Sequence, residues 1–142
     1  MDFLQPINLT LATRTLTKDD AGAIINVNRA AGSTITLPAA LGTGRWYRIF
    51  VGTTITSTNL VVQVANSTDI MSGVAINTQD AGDTTIGFET AAADDTITMN
   101  GSTKGGIKGD WIELDDVAAG IWHVKVIGSA TGTEVTPFSS AV

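Results

Sequence analysis

The cleanest alternation of apolar and polar positions runs through Trp111-Ile112-Glu113-Leu114 and, after a polar break at 115–120, through Ile121-Trp122-His123-Val124-Lys125-Val126-Ile127. In the second segment Trp122, Val124 and Val126 share one face and His123 and Lys125 the other, because side chains on a strand alternate with a period of two. Ile112 and Leu114 form the apolar side of the first segment, with Glu113 opposite. The pattern predicts a hairpin at the centre of the core.

The same period recurs along the chain. Ile7, Leu9 and Leu11 alternate with Asn8 and Thr10, and Ile25 and Val27 with Asn26 and Asn28. Thr34-Ile35-Thr36-Leu37 stops at Pro38, which cannot donate to a ladder. In Arg45-Trp46-Tyr47-Arg48-Ile49-Phe50-Val51, one face is wholly apolar (Tyr47, Ile49, Val51) and the other sets Arg48 between Trp46 and Phe50. Leu60 to Val64, Ile86 with Phe88, and Ile97 with Met99 complete the strand candidates, and Asp69 to Gly73 reads as a short strand ending in a turn. Strand signals spaced roughly every 8–12 residues predict an all-β fold, an antiparallel β-sandwich, jelly-roll-like or small barrel of about 8–10 strands. No repeat of about 20–50 residues is visible, which argues against solenoids and propellers. The expected organisation is one β domain over 1–142, with a core at 7–128, an N-terminal arm at 1–6 and a C-terminal arm at 129–142.

Composition sharpens this picture. Charged residues make up 15% of the chain and threonine is the commonest residue, at 22. Polar surface therefore comes from hydroxyls, which cost less to bury than charges and suit a protein packed against neighbours. The net charge of −6 repels polyphosphate, so nucleic acid is not an expected partner. Cysteine is absent, which removes disulfides, thiolate metal sites and cysteine nucleophiles. No apolar run approaches the ~20 residues of a membrane helix, and the N-terminus lacks a signal-peptide pattern, so synthesis in a cytoplasm and no membrane partner are expected.

Catalytic chemistry finds little purchase. His123, the lone histidine, sits mid-strand and reads as a surface or interface imidazole. The acid pairs Asp19-Asp20, Asp94-Asp95 and Asp115-Asp116 read as turn formers, with a calcium-bound loop as the alternative, and no EF-hand spacing appears. Asp110 and Glu113 could be proposed as a glycosidase pair, but fourteen acids make some such pair inevitable. Ser102 to Gly109 lacks P-loop order; it reads as a hairpin loop whose Lys104 and Lys108 could dock on an acidic neighbour. No cofactor, metal or enzymatic activity is expected. Trp46, Arg48, Phe50 and Trp111 lie on faces opposite those assigned to the core. They either line a second core layer or anchor a subunit interface, where Trp, Phe and Arg are enriched. Phe3, Leu4 and Phe138 in the arms are candidates for the same interface.

The block Thr34 to Pro38, Gly44 to Val51, Gly73, Gly109 to Leu114 and Gly120 to Val124 resembles small β-rich structural proteins of tailed bacteriophages, above all head decoration or cement proteins. The resemblance implies a homotrimer on the outer capsid surface of the virion, bound to the major capsid protein and bridging capsomers. Related modules in tail fibres imply receptor binding as an alternative, and a carbohydrate-binding β-sandwich is a third reading.

Overall fold

A computed structural model of the chain describes residues 4–80 and 82–142. Phe3, expected in the N-terminal arm, lies outside them. The alternating hairpin is present and longer than its pattern indicated. Strand β10 (Trp111–Ala118) pairs antiparallel with β11 (Ile121–Ala130), with Ile112 beside Val126 and Leu114 beside Val124. The supposed break at 115–120 is mostly strand, with a bulge between Asp116 and Ala118 and a tight turn at Gly120, whose φ of +79° favours glycine.

The remaining strands among the described residues are β1 (Ile7–Leu9), β2 (Thr13–Thr15), β3 (Ile24–Val27), β4 (Thr34–Thr36), β5 (Trp46–Val51), β6 (Leu60–Gln63), β7 (Ile70–Gln79), β8 (Thr85–Glu89), β9 (Thr96–Met99) and β12 (Phe138–Ser139). They build an all-β sandwich of two open sheets. One has seven strands in the order β1-β3-β5-β10-β11-β7-β8, the other five in the order β12-β9-β6-β4-β2. Inward side chains of both meet in one core that includes Ile49, Ile112, Trp122 and Val124 from the larger sheet and Ile35, Val62, Ile97 and Met99 from the smaller.

Two expectations need correction. The sandwich is mixed rather than antiparallel. The pairs β1–β3, β3–β5, β2–β4, β4–β6 and β7–β11 all run parallel. The first six strands also alternate between the sheets, so the chain winds as stacked coils, with Ile7 beside Ile25 and Ile25 beside Ile49. This is the solenoid-like winding that the absence of a repeat had argued against. Parallel stacking asks only for inward apolar residues in register, and corners of unequal length between the strands erase any fixed period.

The second correction concerns 129–142. Strand β11 continues to Ala130, the chain returns along the 102–103 corner (Thr131 N–H donates to Ser102 and Val135 N–H to Thr103), and β12 pairs with β9. Phe138 is buried in the core at 4% exposure, so this segment is a wall of the sandwich rather than an arm.

Candidate functional site

The outward side chains of the seven-stranded sheet form three registered rows. The first crosses four strands as Phe50, Trp111, Ile127 and Ile76. The second is Arg48, Glu113, Lys125 and Val74; the third is Trp46, Asp115, His123 and Ser72. Ile76, Ile127 and Val74 remain 43%, 47% and 44% exposed and adjoin Phe50 and Trp111 in an apolar surface of the kind that marks interaction sites; Trp46, 40% exposed, stands apart at the opposite corner beyond Arg48. The charges beside it are paired internally. Arg48 Nη1 donates to Asp115 Oδ1 at 3.3 Å and Lys125 Nζ lies 3.9 Å from Glu113 Oε2. His123 Nδ1 lies 3.6 Å from Asp115 Oδ2, and the Arg48 guanidinium sits 4.6 Å from the Trp46 ring centre.

This arrangement removes one of the two open readings for the aromatics. Trp46, Arg48, Phe50 and Trp111 do not line a second core layer; all four stand on the outer face of one sheet, because β5 and β10 are neighbours in register. Phe50 and Trp111 meet edge to face at 6.5 Å and 62°. The other candidates lie elsewhere. Leu4 is exposed just before the edge strand β1. Lys104 is half-buried in a corner folded over Asn100, whose side chain accepts from its backbone N–H. Lys108 is exposed and borders a shallow depression with Ile127 and Ser129, at one end of the outer face. Phe138 is removed from the candidate interface by its burial. Sequence reading missed Val74 and Ile76, because Gly73 looked like a turn while β7 runs straight through it.

Two acids read as turn formers, Asp95 and Asp116, are buried staples instead. Asp116 lies in β10 and accepts the backbone N–H groups of Leu41, Gly42 and Thr43 and the Thr43 hydroxyl. Asp95 accepts the Thr96 hydroxyl and the N–H groups of Ala141 and Val142, tying down the C-terminus. Asp110 accepts from Gly106, Ile107 and Ser129. It points inward, whereas Glu113 points outward, so the two cannot act as a glycosidase pair. Beside Asp110 lies Asn77, fully buried. A Cβ on Gly128 would fall 2.8 Å from Asp110 Oδ2 and 2.9 Å from Asn77 Oδ1, so that position requires glycine.

Burial pushes all three carboxyls upward, and hydrogen bonds oppose it. For Asp95 and Asp116 the bonds prevail and hold the carboxyl below the ordinary aspartate range; for Asp110 burial prevails and raises it. The linkage signs therefore differ. Asp95 and Asp116 stabilise the fold above the unfolded aspartate value of about 3.9, and that contribution is lost as pH falls through their depressed folded values. Asp110 contributes most below its unfolded value and loses that contribution as pH rises through its folded one. The melting deficit of Asp116→Asn relative to wild type is expected to be largest at neutral pH and to shrink on acidification. For Asp110→Asn the deficit should grow on acidification. Calorimetric melting across the acid range checks both; deficits that move in the same direction would refute the assignment.

Among the described residues no group of three His, Asp or Glu side chains could hold a metal ion, and no helix is long and apolar enough to cross a membrane. No protein-family model, curated protein or solved structure matches the chain. Its function is therefore read from its own geometry.

Proposed function

We propose that this chain is a structural virion protein that binds the outer surface of a phage head and stabilises the shell by bridging neighbouring capsomers as an oligomer. The observation that carries the oligomeric part of this reading is the aromatic and aliphatic row Phe50–Trp111–Ile127–Ile76 on the outer face of the larger sheet. A surface of that kind favours assembly. The acidic balance of the chain supports a place outside the shell, away from packaged DNA. The resemblance of the Thr34–Pro38, Gly44–Val51 and Gly109–Val124 blocks to head decoration proteins supports the same role, and linked copies would sum weak contacts into firm attachment.

A carbohydrate-binding platform is less well supported. Sugar rings stack on coplanar aromatics, whereas Phe50 and Trp111 are inclined at 62° and Trp46 carries Arg48 across its ring. The expected outcome is co-sedimentation of the purified protein with empty phage heads stripped of exterior proteins, and none with host cells. Binding to cells with no binding to heads would favour the receptor-binding alternative and overturn this reading.

A further inference from the structure

The outer face of the seven-stranded sheet is not only apolar; it is divided along the line between β10 and β11. On the β10 side stand Trp111, Glu113 and Asp115, and in register on the β11 side stand Ile127, Lys125 and His123. Beyond them β5 supplies Phe50, Arg48 and Trp46, and β7 supplies Ile76, Val74 and Ser72. From this we infer that the face is covered by a second copy of the same chain, stacked sheet on sheet about a two-fold axis parallel to the strands and passing between β10 and β11.

The argument is one of self-complementarity. Such an axis exchanges the two sides, so each row meets itself reversed. Trp111 then faces Ile127 of the other copy and Phe50 faces its Ile76, an aromatic ring on a branched chain at each contact. Glu113 faces Lys125 and Asp115 faces His123, so acids meet bases. Arg48 lays its stem over Val74, and Trp46 meets the small Ser72. A two-fold axis across the strands, along the middle row, would instead set Arg48 on Arg48 and Lys125 on Lys125, like charge on like. Long side chains on both faces span the ~10 Å between packed sheets.

The charge balance selects this occupant. Two copies each carrying −6 repel one another, and they meet at least cost where the surface is neutral. On the four central strands of this face Arg48 and Lys125 balance Glu113 and Asp115, with ion-pair distances of 3.3 to 4.0 Å; Glu89, beside Val74 on β8, is an exposed carboxylate at its margin, so most of the chain's negative excess lies elsewhere. An unrelated partner would have to carry the same reversed pattern of ring, acid and base. This chain already carries it.

The test uses the full chain, with mass measured by sedimentation equilibrium and folding monitored by thermal melting. Wild type is expected to be dimeric, in place of the trimer that the resemblance to decoration proteins implies. Lys125→Glu sets a new carboxylate against Glu113 at both contacts, and Glu113→Lys sets a new ammonium against Lys125, so each variant alone should dissociate about tenfold more readily. An equimolar mixture restores opposite charges at both contacts and should form the heterodimer. The pairing of these residues within one chain cannot produce that rescue, because mixing leaves each chain's own like-charged pair unchanged. A monomeric or trimeric wild type, a dimer indifferent to Lys125→Glu, or a mixture that stays monomeric would overturn the proposal. Should either reversal unfold the chain, Ile76→Asp on the exposed row replaces it, and a dimer that persists in that variant is equally fatal. None of these measurements involves a phage head, so their failure leaves the head-binding test untouched.

Discussion

Removal of residues 131–142 is expected to abolish stable folding. An arm could be cut away with little effect on the body; a core strand cannot. Phe138 is 4% exposed in the main apolar cluster, and β12 completes the five-stranded sheet beside β9. Emptying the site of a buried Phe costs about 3–5 kcal/mol. The deletion would also take from the Asp95 carboxylate the N–H groups of Ala141 and Val142, leaving the Thr96 hydroxyl as its donor. A buried carboxylate that loses donors adds about 1–3 kcal/mol. Together these approach the whole stability of an ordinary domain, about 5–15 kcal/mol. Circular dichroism of the truncated chain checks this, and a cooperative melt near that of the full chain would show that the last twelve residues are dispensable.

Trp122→Ala should come next in severity, at about 3–5 kcal/mol. The side chain is 1% exposed, lies between the sheets, and packs against Tyr47 with ring centres 5.9 Å apart. Its indole N–H finds no hydrogen-bond partner among the described residues, so its contribution is one of shape and contact rather than polarity. Trp122→Phe is accordingly expected to cost far less than the alanine change, because it keeps an aromatic ring and removes the unpaired donor. Chemical denaturation of both variants tests the pair. Equal losses would mean that the indole acts through its N–H, and negligible losses would mean that the ring does not fill the core.

The number of sticky groups was the sequence's argument for partners, and the structure divides them. Trp122 and Phe138 are enclosed. Trp46, Phe50 and Trp111 are not, and Ile76, Ile127 and Val74 join them on the outer face. The aromatic part of the motive for assembly thus narrows to one face of one sheet, while Leu4, Leu11, Leu41 and Val117 stay exposed singly elsewhere. The inner face of β5 was legible as Tyr47, Ile49 and Val51, and its outer face as Trp46, Arg48 and Phe50, because a period of two needs only local residues. The staples at Asp95 and Asp116 were not legible. An acid pair beside small residues has turn chemistry whether it closes a turn or collars a distant loop, and the collar at Leu41 to Thr43 lies seventy-odd residues from Asp116 in the chain.

By itself, the sequence determined what each strand shows to each side: an all-β body, its central hairpin, and the inward set Ile112, Leu114, Trp122, Val124 and Val126. Alternation is a local property, written residue by residue into the chain. Only the tertiary structure decided which strands lie side by side, and whether they run parallel. Pairing depends on register and on corners between strands, and many arrangements satisfy the same inward pattern. That choice wound the first six strands into coils, drew 138–139 into a sheet, and aligned Trp111 with Ile127 and Glu113 with Lys125. Single residues scattered along the chain became a surface only there, because neighbours across a sheet are set by the ladder and not by the order of the sequence.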